Sequence, residues 1–213
     1  MNITPTTEIF IKNLVFRVGN KNLSLVNVND VLYAVKNAYR AMQPRTFDKI
    51  KADAQINDLL KDNLLMDIAK EFVSYFNSSI KNVHDFDVWH EKLCVGIITK
   101  LNNLLQVSNY NTSGATYGKA QKIVNVTFKN LSLFDDAHLY KNHFTFCHFI
   151  IDGANLEWYN SFAINAVNTA WSNLGEQEYK EIQDEIRDYL LKQSKYPQNP
   201  FEAEFYIWAD CQF

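Results

Sequence analysis

The chain has 213 residues, of which 47% are hydrophobic and 21% are charged, and its formal net charge is −3. These values are ordinary for a folded globular protein, and the charge argues against a surface coated with basic residues. Six glycines and four prolines are too few for the many turns of a β architecture, so the composition predicts a compact all-α fold. We expect a single helical domain over residues 1–213, or two small lobes with a cleft near residues 110–155.

Cysteine usage and the N-terminus indicate the compartment. Cys94, Cys147 and Cys211 are far apart and form no C-x-x-C motif, which favours a reducing environment over a disulfide framework. The N-terminus lacks the basic start and apolar run of a signal peptide. No stretch approaches the roughly 20 apolar residues of a membrane span. These features predict a cytoplasmic protein that does not associate with a membrane.

The first elements of the chain are two short segments. Residues 9–18 form an apolar run that is too short to separate a helix from a strand. A helix capped by Asn29 is expected to continue through Met42 and to stop at Pro44.

Two longer helical patterns follow. Apolar residues recur at three- and four-residue steps from Thr46 to Phe76, which predicts a helix with a break near residues 62–63. A further helix, opened by Asp85 or Asp87, is expected to end near Val107.

The second half of the chain begins with a turn-rich stretch at residues 108–118, which precedes a lysine-bearing helix. The segment after that helix is short and irregular, and another helix is expected to begin after Asp152. The segments 176–193 and 200–211 are amphipathic, and each predicts a helix.

The lysine-bearing helix has two dissimilar sides. At about 100° per residue, Lys122, Asn125 and Lys129 share one side, opposite an apolar side made of Ile123, Val124, Phe128 and Leu131. One alternative is that these lysines simply lie in solvent. The other is that one lysine lies at the mouth of a cleft and attacks carbon. An amine attacks only when it is deprotonated, so burial or a neighbouring cation such as Lys119 must lower its pKa.

Asp152 ends the apolar run "FIID" and is followed by Gly153. Aspartate is a favoured residue at the start of a helix, so a capping role is expected. Capping also fixes the orientation of the carboxylate. At the edge of a cleft it would therefore be placed to stabilise positive charge or to accept a proton.

A metal site is a further alternative, because His138, His143, Cys147 and His148 lie within eleven residues. These residue types suit zinc, but their spacing matches none of the common paired-ligand patterns. The segment also holds several phenylalanines, which favours packing and hydrogen bonding for the histidines. We therefore predict no metal and no other cofactor.

Aromatic side chains are candidates for a pocket that stacks a nucleobase: Trp89, Tyr110, Tyr117, Trp158 and Trp171. Core packing is the alternative for each of them. The sequence contains no phosphate-binding glycine loop, no serine hydrolase motif and no zinc protease motif.

The segment from Gly114 to Asp152 resembles the helix-hairpin-helix DNA glycosylase superfamily, and in particular its archaeal 8-oxoguanine glycosylase branch. The likeness lies in the order of a glycine-containing turn, a lysine-bearing apolar helix, an irregular segment and an aspartate at a helix start. In "QKIVNVTFK", Lys122 matches the nucleophile and Lys129 the later lysine of that branch. Asp152, thirty residues beyond Lys122, matches the catalytic aspartate. The hairpin is reduced to "SGATYG", and isoleucine precedes the aspartate where proline is typical.

This resemblance implies an atypical helix-hairpin-helix element and a DNA glycosylase that flips a damaged or modified base out of double-stranded DNA. Lys122 would attack the sugar C1′ and form a Schiff base, with strand nicking as a further step, and Asp152 would stabilise the developing charge. Lys119 stays open as an alternative nucleophile. DNA repair and defence against phage with modified DNA are the two settings that this chemistry fits.

The resemblance also implies which other residues meet the DNA. The phosphate backbone would contact the turn and its flanking side chains: Gly114, Tyr117, Gly118, Lys119 and Lys129. The flipped base would lie among a second group: Trp89, Tyr110, Asn125, His148 and Trp158. A non-catalytic helical interaction protein and a metal-dependent hydrolase are the alternatives from other functional classes. The sequence gives no basis for predicting the oligomeric state.

Overall fold

The computed structural model describes residues 5–19, 21–42, 54–80, 82–107 and 114–211. Over these ranges the protein is all-α, as predicted, and contains no strand. The helices are α1 (Pro5–Phe16), α2 (Val28–Ala41), α3 (Ala54–Phe76), α4 (Val83–Val107), α5 (Tyr117–Leu131), α6 (Lys141–Phe144), α7 (Gly153–Asn160), α8 (Glu176–Lys192) and α9 (Pro200–Asp210), with short 3-10 turns at Ala137–Tyr140 and Trp171–Asn173. Within the described ranges, no helix is long and apolar enough to cross a membrane.

Helix α5 lies at the centre of the fold and contacts α2, α4, α8 and the turn at Trp171–Asn173. Twelve of its fifteen residues are buried, including polar ones on the side that also carries the lysines. Lys119 is 7% exposed and the Lys122 side chain 13%. The alternative in which these lysines simply lie in solvent is therefore wrong, because the turn at Trp171–Asn173 and helix α9 cover this side.

Two helices begin at different caps from those predicted. Asn27, not Asn29, caps α2, since its side chain accepts hydrogen bonds from the backbone amides of Asn29 and Asp30. At the start of α4 the side chain of Asn82 accepts from the backbone amide of Asp85, at 2.9 Å. Asp87 therefore lies inside the helix rather than at its end, and its carboxylate is available for a tertiary contact.

Two other expectations about the N-terminal half are settled by the backbone. The apolar run at residues 9–18 is helical as far as Phe16 and belongs to α1. Helix α3 continues without interruption through residues 62–63, so the expected break is wrong. Residues 46–53, where that helix was expected to begin, lie outside the described part of the chain.

The segment of residues 147–151 is not helical, although all five residues are buried. Because its backbone polar groups are out of reach of water and form no helix, they need partners from other elements. Side-chain amides supply them. Gln183 of α8 donates to the carbonyl of Phe149 (2.8 Å) and accepts from its amide (3.0 Å). Gln121 of α5 does the same for Ile151, at 2.7 and 3.4 Å. This segment delivers Asp152 to the start of α7.

Candidate functional site

Lys122 and Asp152 come together although they are thirty residues apart. The Lys122 Nζ lies 3.5 Å from Asp152 Oδ2, and the two side chains are 13% and 19% exposed. Lys122 projects from the second turn of α5. Asp152 caps α7, with Oδ1 accepting from the backbone amide of Asn155 at 3.2 Å. Because Oδ1 is used by the cap, the carboxylate orientation is fixed and Oδ2 faces the amine.

The indole ring of Trp171 covers the Lys122 amine, with its centroid 4.4 Å from Nζ. An amine attacks carbon only when it is deprotonated, so attack by Lys122 needs a proton acceptor, and Asp152 is close enough to be that acceptor. The attack also requires that Trp171 leave part of the amine accessible.

Lys119, one turn before Lys122, is more deeply buried. Its Nζ donates a hydrogen bond to the carbonyl of Gly114 at 3.2 Å, and burial lowers the pKa of Lys119. A lowered pKa favours a nucleophilic amine, whereas a nearby carboxylate provides a proton acceptor. Lys119 has the lowered pKa and Lys122 has the neighbouring carboxylate, so both stay candidates for the nucleophile.

Three backbone amides in the first turn of α5 and just before it already donate to protein groups. The backbone amide of Gly118 donates to the carbonyl of Leu174 at 3.0 Å, and that of Lys119 donates to the hydroxyl of its cap, Thr116, at 3.3 Å. The amide of Ala115 donates to the side chain of Asn102 at 2.7 Å. These three amides are not available to hold a phosphate, which argues against the expected role for this turn.

Gly118 has a packing role instead. A Cβ at this position would lie 1.9 Å from the carbonyl oxygen of Trp171, so only glycine allows the turn at Trp171–Asn173 to pack this closely on α5. Tyr117, which was also expected to meet DNA, is 4% exposed and lies between α4 and α8, with its ring centroid 6.4 Å from that of His90 and 5.2 Å from that of Tyr179.

Lys129 anchors α9 to α5. Its Nζ lies 2.7 Å from a carboxylate oxygen of Glu204 and 4.8 and 5.0 Å from the ring centroids of Phe205 and Trp208. Burial raises the pKa of Glu204, and Lys129 opposes this effect. The contacts of Lys129 in this structure are therefore with the protein's own C-terminal helix.

The expected base-pocket residues do not form one pocket. Trp89 packs among the rings of Phe72 and Tyr75, at centroid distances of 5.5 and 4.5 Å. Trp158 stacks on Phe149 at 5.1 Å. Both residues therefore belong to aromatic clusters at the core. Tyr110 lies outside the part of the chain that the structure describes.

Asn125 and His148 do come together, through a tyrosine that the sequence did not single out. Asn125 donates to the hydroxyl of Tyr179 at 2.8 Å, and that hydroxyl lies 2.8 Å from His148 Nδ1. His148 Nε2 lies 2.7 Å from Asp87, and Asn125 Oδ1 lies 3.0 Å from His90 Nε2. We assign the His148 proton to Nε2, since Nδ1 then accepts from Tyr179.

Burial controls ionisation along this network. It lowers the pKa of His90 and of His148 and raises the pKa of Tyr179, so all three are neutral near pH 7. Burial alone would raise the pKa of Asp87. Hydrogen bonds from His148 and Arg187 outweigh it and hold that pKa well below the usual carboxyl range. The network therefore has one fixed negative charge, close to the surface.

The outer end of this network lines a small pocket of about 100 Å³. Its walls include Asp87, Tyr117, His148 and Arg187. Neither Lys122 nor Asp152 lines it. Sequence reasoning missed Asp87 because it resembled a helix cap, and Tyr179 because it fitted the apolar side of α8. The 3.6-residue spacing that places Asp87, His90 and Cys94 on one side of α4 was the available signal.

The alternative metal site is not assembled. His138 Nδ1 contacts the carbonyl of Asp135 at 3.0 Å, and His143 Nε2 contacts that of Ser78 at 3.2 Å. Cys147 is a buried free thiol, and burial raises its pKa. No group of three or more histidine, cysteine, aspartate or glutamate side chains within the described ranges is arranged to hold a metal ion.

No protein-family model, curated protein or solved structure matches this chain. The resemblance to helix-hairpin-helix DNA glycosylases therefore stays a prediction from the residues between Gly114 and Asp152.

Proposed function

We propose that this protein is a DNA glycosylase-like enzyme that removes a damaged or modified base by attack of a lysine on the sugar C1′. The approach of Lys122 Nζ to Asp152 Oδ2 carries the proposal, because an amine and a carboxylate within 3.5 Å provide both the nucleophile and the proton acceptor. The cap that fixes Asp152 adds to it, since a catalytic carboxylate must be held in one orientation.

The chemistry balances with these two groups. Asp152 takes a proton from Lys122, and the neutral amine forms a bond to C1′ as the bond between C1′ and the base breaks. The base leaves with the electron pair of that bond and takes up the proton that Asp152 holds. Asp152 is therefore ionised again as positive charge develops on the sugar, and it stabilises that charge. A proton then moves from the bound amine to the ring oxygen as the sugar ring opens, which leaves a Schiff base between Lys122 and C1′.

Borohydride trapping tests this proposal directly. The purified protein is incubated with duplex oligonucleotides that hold an abasic site, 8-oxoguanine or a modified cytosine, and the covalent complex is measured after reduction. We expect a complex with the wild type and none with Lys122→Gln, while Asp152→Asn binds DNA but leaves no abasic sites. Lys141→Gln is the matched control, because Lys141 is exposed. Full activity in both Lys122→Gln and Asp152→Asn would overturn the proposal.

Lys119→Gln distinguishes the two candidate nucleophiles. If Lys122 attacks, Lys119→Gln still forms the trapped complex and peptide mapping finds the DNA adduct on Lys122. An adduct on Lys119 would instead assign the attack to the amine whose pKa burial lowers.

A non-catalytic interaction protein is the second candidate, and the exposed aromatic residues of α9 favour it. Phe205 and Trp208 are three residues apart on α9, both contact Lys129, and they are 38% and 42% exposed. Large exposed apolar side chains that lie together are typical of protein-binding surfaces. For this function, a partner captured by the wild type is retained by Lys122→Ala and lost by Trp208→Ser. Loss of the partner in Lys122→Ala would contradict it.

A further inference from the structure

Gln121 forms a direct link between the lysine helix and the main chain that leads to the aspartate. Its Nε2 donates to the carbonyl of Ile151 at 2.7 Å, and its Oε1 accepts from the amide of Ile151 at 3.4 Å. The same Nε2 also lies 2.9 Å from the carbonyl of Gly118 in the preceding turn of α5. The side chain is thus held at both of its polar atoms and is fully buried.

The two ends of this link are the chain neighbours of the proposed catalytic pair. Gln121 immediately precedes Lys122, and Ile151 immediately precedes Asp152. Because consecutive Cα atoms are about 3.8 Å apart, a fixed distance between residues 121 and 151 strongly restricts the distance between residues 122 and 152. Gln121 has no exposed surface, so any role it has in catalysis acts through the positions of these two residues.

The neighbouring amide clamps do not replace this link. Gln183 holds Phe149 by two hydrogen bonds of the same kind, and Asn155 donates to the carbonyl of Ile150 at 2.8 Å. Both would keep the segment in place without Gln121. Gln183, however, ties the segment to α8, and Asn155 ties it to α7. Gln121 joins it to the helix of Lys122 at Ile151, next to Asp152, whereas Asn125 of the same helix contacts it further away, at the carbonyl of Phe149 (3.4 Å).

We propose that Gln121 is a positioning residue that holds Asp152 against Lys122. Its meaning for catalysis rests on the proposed function, but the link itself does not. Gln183→Met is a control for Gln121→Met, because each change removes two hydrogen bonds to one residue of the buried segment and keeps a similar side-chain volume. Gln121→Met also removes hydrogen bonds to Gly118 and Asn125, but both of these residues lie in α5 and neither belongs to the segment that leads to Asp152.

The first measurement does not need DNA. The ¹⁵N chemical shift of the Lys122 side chain is recorded by NMR with and without the Asp152→Asn change, and the difference between the two shifts measures the coupling of the two side chains. We expect this difference to fall by about half or more when Gln121→Met is also present, because the two side chains then separate. It should be unaltered in Gln183→Met. Equal losses in both variants, or no loss in either, would overturn the proposal.

The second measurement uses borohydride trapping on abasic-site DNA under single-turnover conditions. Gln121→Met is expected to lower the trapping rate by about tenfold to a hundredfold with little change in DNA affinity, and Gln183→Met to change it much less. If the wild type traps no DNA, the proposed function fails while the NMR result still decides the role of Gln121. If Gln121→Met does not fold, Gln121→Asn replaces it, because this change shortens the side chain by one methylene group and draws its amide back from Ile151. Gln121→Asn must then give the same NMR result.

Discussion

Arg187 donates two hydrogen bonds to Asp87, from a position one hundred residues further along the chain. Its Nη2 lies 2.7 Å from Oδ1 and its Nη1 3.2 Å from Oδ2. The paired geometry matches the planar fork of a guanidinium to a carboxylate. Oδ1 also contacts His148 Nε2 at 2.7 Å. This ion pair therefore joins α8 to α4 and ends the buried network that continues through Tyr179.

Arg187→Ala removes the fork and leaves Asp87 with His148 alone. Because Asp87 is about one third exposed, water replaces part of the lost interaction, and we expect the free energy of unfolding to fall by about 1–2 kcal/mol. Urea unfolding measures it. Lys180→Ala is the control, because Lys180 forms more exposed ion pairs with Glu91 and Glu176, and its loss should cost less. A larger effect of Lys180→Ala would contradict the importance of the fork.

Acidification should destabilise the protein through its buried histidines. The pKa of His90 and of His148 is lowered in the native state, whereas in the unfolded chain it returns to about 6.5. The unfolded state then binds more protons, so the free energy of unfolding is highest above about pH 6.5 and falls as the pH decreases below it.

His90→Phe tests this linkage, because it removes one of the two buried histidines. The slope of unfolding free energy against pH below pH 6.5 should become shallower by up to about 1.4 kcal/mol per pH unit, whatever the absolute stability of the variant. Urea unfolding at a series of pH values measures the slope. His84→Gln, at an exposed position, should leave it unchanged. An unaltered slope in His90→Phe would show that His90 does not contribute.

The helices were predictable from the sequence to a greater extent than their ends. Asn27, Asn29 and Asp30 are all good capping residues within four positions, so local preference does not choose among them. Asn27 is used because it is the one with an extended backbone, and Asp30 is instead turned towards Lys21 and the amide of Ser24. Tertiary contacts therefore determine which of the three residues caps α2.

The candidate site was predictable only in part. The order of residues around Lys122 and Asp152 suggested that they meet, and their atoms lie 3.5 Å apart. Nothing local indicates that Trp171, almost fifty residues beyond Lys122, packs on the lysine. Nor does a sequence pattern reveal that the amides of Gln121 and Gln183 bind backbone groups of the segment before Asp152. Such contacts depend on the folded chain rather than on periodicity.

Lys129→Ala should destabilise the protein because it leaves Glu204 buried without its cation. Glu204 is 3% exposed, and removal of one partner from a buried ion pair is costly. Since Lys129 itself is about one quarter exposed, we expect a loss of about 2–3 kcal/mol, measured by urea unfolding. Glu204→Gln in the Lys129→Ala background should recover part of it, because no charge is then left buried. If Glu204→Gln recovers no stability, the destabilisation by Lys129→Ala comes instead from the lost contacts with Phe205 and Trp208.

Gly118→Ala and Gly96→Ala are expected to change the free energy of unfolding in opposite directions. Both glycines lie within helices, where alanine is favoured by about 1 kcal/mol. A methyl group at Gly96 meets nothing within 4 Å, so Gly96→Ala should raise the free energy of unfolding. At Gly118 the methyl group would lie 1.9 Å from the Trp171 carbonyl oxygen, which is backbone and cannot rotate away.

The turn at Trp171–Asn173 must therefore move away from α5, and we expect Gly118→Ala to cost about 1–3 kcal/mol, as overpacking does. Thermal and urea unfolding measure both variants. Because the same movement draws Trp171 away from Lys122, Gly118→Ala should also increase the rate at which an acylating reagent modifies Lys122, read by peptide mapping. An unchanged rate together with unchanged stability would mean that this turn does not cover the lysine in solution.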